Sequence, residues 1–131
     1  MKFYFDVVCP YAYLASTRVE ALAARAGHPI EWKPILLGGV FNAVGRQETP
    51  MSPEKARLNL LDMERFSKLH GVPLRLHPEH PKRTVSAMRL LHTVDGAERV
   101  RLMHILYRYY FVENHDVSDP RVLAAAAAEL G

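Results

Sequence analysis

The position best suited to chemistry is Cys9, the only cysteine among the 131 residues. It follows an apolar run, residues 3–8, that is short enough for a buried strand, and it precedes Pro10. Proline is favoured at the first position of a helix, because its missing N–H is not needed there. The pattern therefore predicts Cys9 at or beside the N-cap of a first helix. There the unpaired N–H groups and the positive end of the helix dipole favour a thiolate.

Two predicted strands and the helix between them position this cysteine. Residues 1–8 and 30–37 are apolar runs of strand length, and residues 10–26 carry apolar side chains at near-helical spacing. Strand, helix and strand in this order form a right-handed βαβ unit with parallel strands. Asp6 interrupts the first strand near its end, as is typical of a polar side chain that faces a site or a helix N-terminus.

The rest of the chain is predicted to be helical. The glycine-rich residues 38–45 indicate a loop, with a short helical turn as an option. Ser52 and Pro53 are typical of an N-cap and a first helical residue, and Asp119 and Pro120 repeat this pattern. Further helices are predicted over 53–70, 83–94, 98–112 and 120–131. The expected apolar face of the helix over 53–70 consists of Ala56, Leu60, Met63, Phe66 and Leu69 or their neighbours. The helix over 98–112 is expected to bury one stripe, made of Val100, Met103, Leu106, Tyr107 and Tyr110.

Composition restricts the classes of function. A net charge of +3 with no dense Lys/Arg run favours anionic small substrates over nucleic acid. No signal peptide and no apolar run of membrane-spanning length is recognised, so no membrane partner is expected. A lone cysteine is typical of a reducing cytosol, which predicts a cytoplasmic protein. The histidines lack metal-binding spacing, so no metal site is predicted.

Residues 5–14 resemble the active-site turn of 2-hydroxychromene-2-carboxylate isomerases and kappa-class glutathione transferases, within the DsbA-like branch of the thioredoxin superfamily. Those enzymes typically read Phe-Asp-x-x-Ser-Pro-(Tyr/Phe)-Ser-Tyr-Leu, and Cys9 stands where they have their catalytic serine. Disulfide oxidases of the same branch carry Cys-Pro-x-Cys, whereas this chain has Ala12 at the fourth position and cannot form that internal disulfide. Residues 35–45 resemble the family's Leu-Leu-Gly-Gly loop.

The resemblance implies an α/β fold of the thioredoxin-like, DsbA-like type. Residues 1–37 would be the N-terminal βαβ half of the thioredoxin-like domain, and residues 38–131 an inserted all-helical domain. The C-terminal ββα half of the family, with its cis-proline loop, has no counterpart in the sequence. Because a two-stranded sheet is not stable alone, we expect further strands beyond residue 131 or from a second copy of the chain.

The resemblance also implies glutathione as cofactor, a small aromatic substrate and a homodimer. In this family the glutathione thiolate adds to a conjugated substrate, a bond rotates, and glutathione leaves again. Cys9 is the expected catalytic residue, because it stands where the family has its serine. The expected glutathione- or substrate-binding residues are Pro10, Tyr11, Arg46 and Lys55, whereas Tyr13 is expected in the core. The predicted function is therefore a glutathione-dependent isomerase.

Two other functions remain open from the sequence. The first is another enzyme of the same branch, either a monothiol DsbA-like oxidoreductase that forms a mixed disulfide at Cys9 or a kappa-type glutathione transferase. The second is a non-catalytic fragment or helical interaction module. Because serine can only hydrogen-bond a thiolate whereas cysteine can also exchange disulfides, substitution at Cys9 separates the isomerase from the oxidoreductase.

Overall fold

In the computed structural model, residues 1–45 and 51–131 are described, so Arg46 lies outside the described residues. Two strands and six helices follow one another along these segments. They are β1 (Lys2–Phe5), α1 (Pro10–Arg25), β2 (Glu31–Pro34), α2 (Leu37–Ala43), α3 (Pro53–His70), α4 (Val85–His92), α5 (Gly96–Phe111) and α6 (Pro120–Leu130). None of the described helices combines the length and the hydropathy needed to cross a membrane.

The βαβ unit predicted at the N-terminus is confirmed. Strands β1 and β2 pair in parallel, with Phe3 opposite Trp32, and α1 connects them. Both strands are shorter than the apolar runs suggested. After Phe5 the chain turns, and the Cys9 N–H donates to the Asp6 carbonyl at 3.0 Å. Within the described residues the sheet contains these two strands, so the expected further strands stay a prediction.

An aromatic core joins the sheet to α1 and α5. Phe5, Trp32 and Tyr107 are each less than a tenth exposed, and the Phe5 ring lies 6.1 Å from Trp32 and 6.3 Å from Tyr107. Tyr13 of α1 stacks on Phe111 of α5 with ring centroids 4.9 Å apart. The segments 1–37 and 38–131 therefore share one core, and the domain boundary between them stays a prediction.

The glycine-rich segment that was predicted mainly as a loop is the helix α2. Its N-cap residue, Leu36, has no side chain that could bond the first N–H groups. The Asp6 carboxylate takes this role instead, since it accepts from the Leu37 N–H at 2.9 Å. A contact across 31 residues of sequence thus stabilises the start of a helix that local sequence preference does not favour.

Asp6 is the junction of three chain segments. Its side chain is 2% exposed and accepts hydrogen bonds from the Val8 N–H at 3.3 Å and the Thr84 hydroxyl at 3.0 Å, besides the one from Leu37. Thr84 lies immediately before α4, and Val8 lies in the turn that leads to Cys9. The expectation that Asp6 faces a helix N-terminus is confirmed at Leu37.

The side chains that α3 buries differ from the predicted ones. Its ends are as expected: Ser52 accepts from the Lys55 N–H at 3.3 Å, and Gly71 ends the helix with a φ of 63°. Met63, however, is its only buried residue among the described ones, and Leu69 is 74% exposed. The predicted apolar face was wrong for Leu60, Phe66 and Leu69, which are all more than a third exposed. Since α3 packs chiefly against α1, one narrow stripe of the helix is covered.

The burial of α3 can be tested with two substitutions on the same helix. We expect Met63→Ala to lower the free energy of unfolding by about 2–5 kcal/mol, because it leaves a cavity beneath the helix. Leu69→Ala should change it by no more than about 0.5 kcal/mol, because its side chain is already in solvent. Urea denaturation monitored by circular dichroism measures both. Equal costs at the two positions would contradict the observed orientation of α3.

The charge of Asp6 can be tested through pH. Burial raises its pKa above the ordinary 3.8, although the hydrogen bonds from Leu37, Thr84 and Val8 oppose the shift. A carboxyl group with a raised pKa stabilises the fold most when it is protonated, and this contribution declines as pH rises through the folded-state pKa. The difference in free energy of unfolding between the parent and Asp6→Asn should therefore shrink as pH rises from about 3 towards neutrality.

Urea titrations of both proteins across this pH range provide the measurement. The variant also leaves buried N–H donors poorly matched, which costs on the order of 1–3 kcal/mol at every pH and does not alter the trend. A difference that stays constant or widens with rising pH would show that the Asp6 pKa is not raised.

Candidate active site at the first helix

Cys9 is the N-cap residue of α1, as the sequence predicted. Its backbone is extended, with φ −83° and ψ 108°, and Pro10 occupies the first turn of the helix. The thiol is free and half-buried. The Cys9 side chain makes no capping hydrogen bond, so the N–H groups of the first turn remain available to an anion. This position suits either a thiolate at Cys9 or one bound beside it.

Two tyrosines border Cys9. Burial raises the pKa of Tyr107 well above its usual value, and its electrostatic interactions with Cys9 and Asp6 add to the shift. Burial, the hydrogen bond to Asp62 and electrostatic interactions with Asp62 and Cys9 likewise raise the pKa of Tyr11. Both phenols therefore stay protonated at neutral pH and act as donors. Tyr11 donates to Asp62 at 2.9 Å, and Tyr107 donates to the Asp6 carbonyl at 3.5 Å.

The predicted binding residues are distributed over α1 and the start of α3. Pro10 and Tyr11 follow Cys9 directly, and Tyr11 is 40% exposed. Lys55 lies in the exposed first turn of α3, and its ammonium group has no partner among the described residues. It precedes Asp62 by seven residues, which is about 10 Å along the helix axis. The contact between Tyr11 and Asp62 thus brings the α3 helix that carries Lys55 against the Cys9 turn.

A groove opens on the other side of the Cys9 turn, between α2 and the start of α4. We call it the α2–α4 groove, and its volume is about 360 Å³. Its lining comprises Asp6, Val8, residues 36–39, Phe41, Asn42 and residues 81–85. Asp6 and Val8 belong to the turn that positions Cys9. The same turn therefore forms part of the groove and leads into the N-terminus of α1.

A second groove, of about 340 Å³, lies between α1 and α3. Tyr11 lines it together with Arg18, Phe66 and His70, among apolar residues of α1. Its polar side chains are already paired: the Tyr11 hydroxyl bonds Asp62, and Arg18 bonds His70 at 2.8 Å. The expectation that Tyr13 belongs to the core is confirmed, since it is 7% exposed.

Sequence reasoning did not identify three residues that lie around Asp6 and the turn leading to Cys9. Thr84 has the pattern of a helix cap, yet its hydroxyl bonds Asp6 and caps no N–H. Tyr107 was expected in the core, but its proximity to Cys9, 98 positions earlier, has no local signal. Arg83 gives no signal beyond its charge. The described residues contain no group of three or more potential metal-ligating side chains.

Comparison with known proteins agrees with this geometry. The family model of the DSBA-like thioredoxin domain matches residues 1–131. Glutathione S-transferase kappa 1 of Caenorhabditis elegans is 32% identical over 105 residues, which cover 76% of this chain and 46% of the relative. The 2-hydroxychromene-2-carboxylate isomerase of Pseudomonas putida is 36% identical over 76 residues, which cover 56% of this chain and 37% of the relative.

The fold comparison leads to the same group of proteins. A solved structure of a 2-hydroxychromene-2-carboxylate isomerase aligns with a TM-score of 0.78 at 23% identity, over 99% of this chain and 64% of that one. The chain spans less than half the length of the curated relatives named above. Both the family model and the fold place Cys9 in a thioredoxin-like βαβ unit, and the chain belongs to the DsbA-like thioredoxin family.

Proposed function

We propose that this protein is a glutathione-dependent isomerase similar to 2-hydroxychromene-2-carboxylate isomerases. The observation that carries the proposal is Cys9 at the uncapped N-terminus of α1, at the position where the resembled enzymes have their catalytic serine. Relatives at 32–36% identity are named as such isomerases or as a kappa glutathione transferase. The substrate is a small aromatic carboxylate, and the mildly basic chain, with a net charge of +3, favours an anion.

The residues present fit glutathione as a cofactor. The first-turn N–H groups of α1, which the Cys9 side chain leaves uncapped, suit a thiolate. Lys55 carries a charge that no described residue neutralises, and it suits a carboxylate of the tripeptide. When bound, glutathione supplies the sulfur nucleophile that the isomerisation requires. Arg46, which lies outside the described residues, remains a proposed carboxylate ligand.

The chain's own residues stabilise charge and orient the reactants. Cys9 donates its S–H to the cofactor sulfur, and the N-terminal dipole of α1 lowers the free energy of negative charge at that point. Pro10 fixes the first turn, so the N–H groups are oriented before any ligand arrives. Tyr11 remains protonated and is fixed by Asp62, which keeps its ring at the edge of the site.

The proposal includes a homodimer in the cytoplasm. The apolar side chains that are exposed along α3, among them Leu58, Leu60 and Leu69, offer surface for an interface. The single free thiol is compatible with a reducing compartment. Neither nucleic acid nor a membrane has a place in the proposed reaction.

A monothiol oxidoreductase is the second candidate, and the identity of residue 9 favours it. A half-buried cysteine at a helix N-terminus can form a mixed disulfide with glutathione, which a serine cannot. The chain contains no second cysteine that could resolve this disulfide internally. Release would therefore need a second molecule of thiol, so the two candidates differ in their dependence on the Cys9 sulfur.

Substitution of Cys9 separates the two candidates. In the isomerase, Cys9→Ser keeps a hydrogen-bond donor beside the cofactor sulfur and should retain substantial activity towards 2-hydroxychromene-2-carboxylate. Cys9→Ala removes the donor and should reduce kcat/KM by roughly 100-fold. Both are measured from the absorbance change of the substrate with and without glutathione. If the serine variant is as inactive as the alanine variant while the parent is active, direct thiol chemistry explains the reaction better.

The charge of Lys55 is tested by its effect on glutathione. We expect Lys55→Gln to raise the KM for glutathione about two- to fivefold and to leave kcat unchanged, because an exposed charge pair contributes about 0.2–1 kcal/mol. Arg57→Gln on the same helix removes an equal charge and serves as the control. An equal rise in KM for both variants would indicate general electrostatic attraction and would rule out a specific contact at Lys55.

A further inference from the structure

We propose that the α2–α4 groove binds the aromatic carboxylate and that Arg83 is the residue that selects the carboxylate group. This inference rests on the proposed function for the choice of substrate class. Ligand binding to the groove is measurable without turnover, so the groove can be tested separately from the proposed activity.

The shape and lining of the groove suit a small aromatic ring system. Its volume of about 360 Å³ lies at the small end of the range for ligand sites, which is about 300–1,000 Å³. Val8, Leu36, Leu37, Phe41 and Val85 supply an apolar lining. Such sites are mostly apolar and carry a few polar groups that fix the orientation of the ligand.

Two polar side chains of the groove are available to a ligand. Neither Arg83 nor Asn42 makes a side-chain hydrogen bond or an ion pair with a described residue. The other cation of the groove, Lys82, is already bound to Glu79 at 3.1 Å and to Asp116 at 2.8 Å. Arg83 is therefore the cation of this groove that is free to pair with a carboxylate, and its guanidinium group matches such a partner with two parallel N–H donors.

Asp6 sets the orientation of the ligand. Its carboxylate also lines the groove, but Leu37, Thr84 and Val8 already donate to its two oxygens. A second carboxylate next to it would be repelled, so the ligand's charged group belongs at Arg83 and its rings over the apolar lining. The Cys9 N–H bonds the Asp6 carbonyl, so a ligand in this orientation rests on the turn that positions the thiol.

The groove between α1 and α3 suits this ligand less well. Its arginine, Arg18, is bonded to His70, and the Tyr11 hydroxyl is bonded to Asp62. A carboxylate would have to break one of these contacts to find a donor there. Charge complementarity therefore favours the α2–α4 groove.

Arg89 provides a matched control. It lies in α4, six residues after Arg83, is exposed, and has no partner among the described residues. It lines an adjoining cavity together with Arg83 but does not line the α2–α4 groove. Arg83→Gln and Arg89→Gln therefore remove the same charge from neighbouring places, and only the first removes it from the groove.

The test is equilibrium binding of naphthalene-2-carboxylate, with neutral naphthalene-2-carboxamide as the comparison ligand. We expect the parent to prefer the carboxylate, and Arg83→Gln to weaken carboxylate binding about tenfold or more while leaving carboxamide binding unchanged. Arg89→Gln should bind both ligands within about twofold of the parent, since its charge is outside the groove. Calorimetry gives the affinities, and circular dichroism verifies that both variants are folded.

Several outcomes would overturn the assignment: no carboxylate binding to the parent at millimolar ligand, equal affinity for both ligands, or equal losses in the two variants. Turnover of 2-hydroxychromene-2-carboxylate that is unaffected by Arg83→Gln would also overturn it and would leave the isomerase function standing. Selective binding through Arg83 in a protein without isomerase activity would support the groove and refute the proposed function.

Discussion

The buried carboxylate of Asp6 is the constraint on which the arrangement of the site depends. A group that is 2% exposed must keep its hydrogen-bond partners, because an unpaired buried charge is strongly destabilising. Its donors come from the Cys9 turn, the start of α2 and the residue before α4. The Asp6 carboxylate therefore links these three segments to one another. The Cys9 thiol and the α2–α4 groove are coupled through this single side chain, which lines the groove.

Cys9 gains its chemical character from this arrangement as well as from its own identity. The thiol lies at a helix N-terminus whose N–H groups have no side-chain cap, and two protonated phenols border it. An aromatic core of Phe5, Tyr107 and Phe111 holds the sheet against α5 beneath the turn. A serine at the same position would receive the same helix dipole. The cysteine adds the capacity for disulfide exchange. The isomerase and the oxidoreductase therefore differ in whether the Cys9 sulfur itself reacts.

Comparison of α5 with α3 shows how far the apolar pattern is informative. On α5 the predicted stripe is correct for Met103, Leu106, Tyr107 and Tyr110, all of which are fully buried, because the sheet and other helices surround that helix. On α3 an apolar stripe of similar spacing leaves Leu60 and Leu69 largely exposed, because α1 covers one side only. Periodicity indicates which side chains share a helix face. It does not indicate whether another element lies against that face.

The sequence by itself determined the βαβ unit, the helix caps at Ser52 and Asp119, and the placement of Cys9 before Pro10 at a helix N-terminus. The caps and the Cys9 placement depend on residues that lie within a few positions of one another, so local backbone preferences fix them. The βαβ unit follows from the order of its elements, because a strand–helix–strand connection of this length pairs its strands in parallel. Only the tertiary structure decided that α2 is a helix, that Tyr107 borders Cys9, and that Arg83 opens into the same groove as Asp6. The contacts responsible span 31 to 101 residues of sequence. They form because burial of Asp6 requires distant donors, and no local pattern encodes which donors those are.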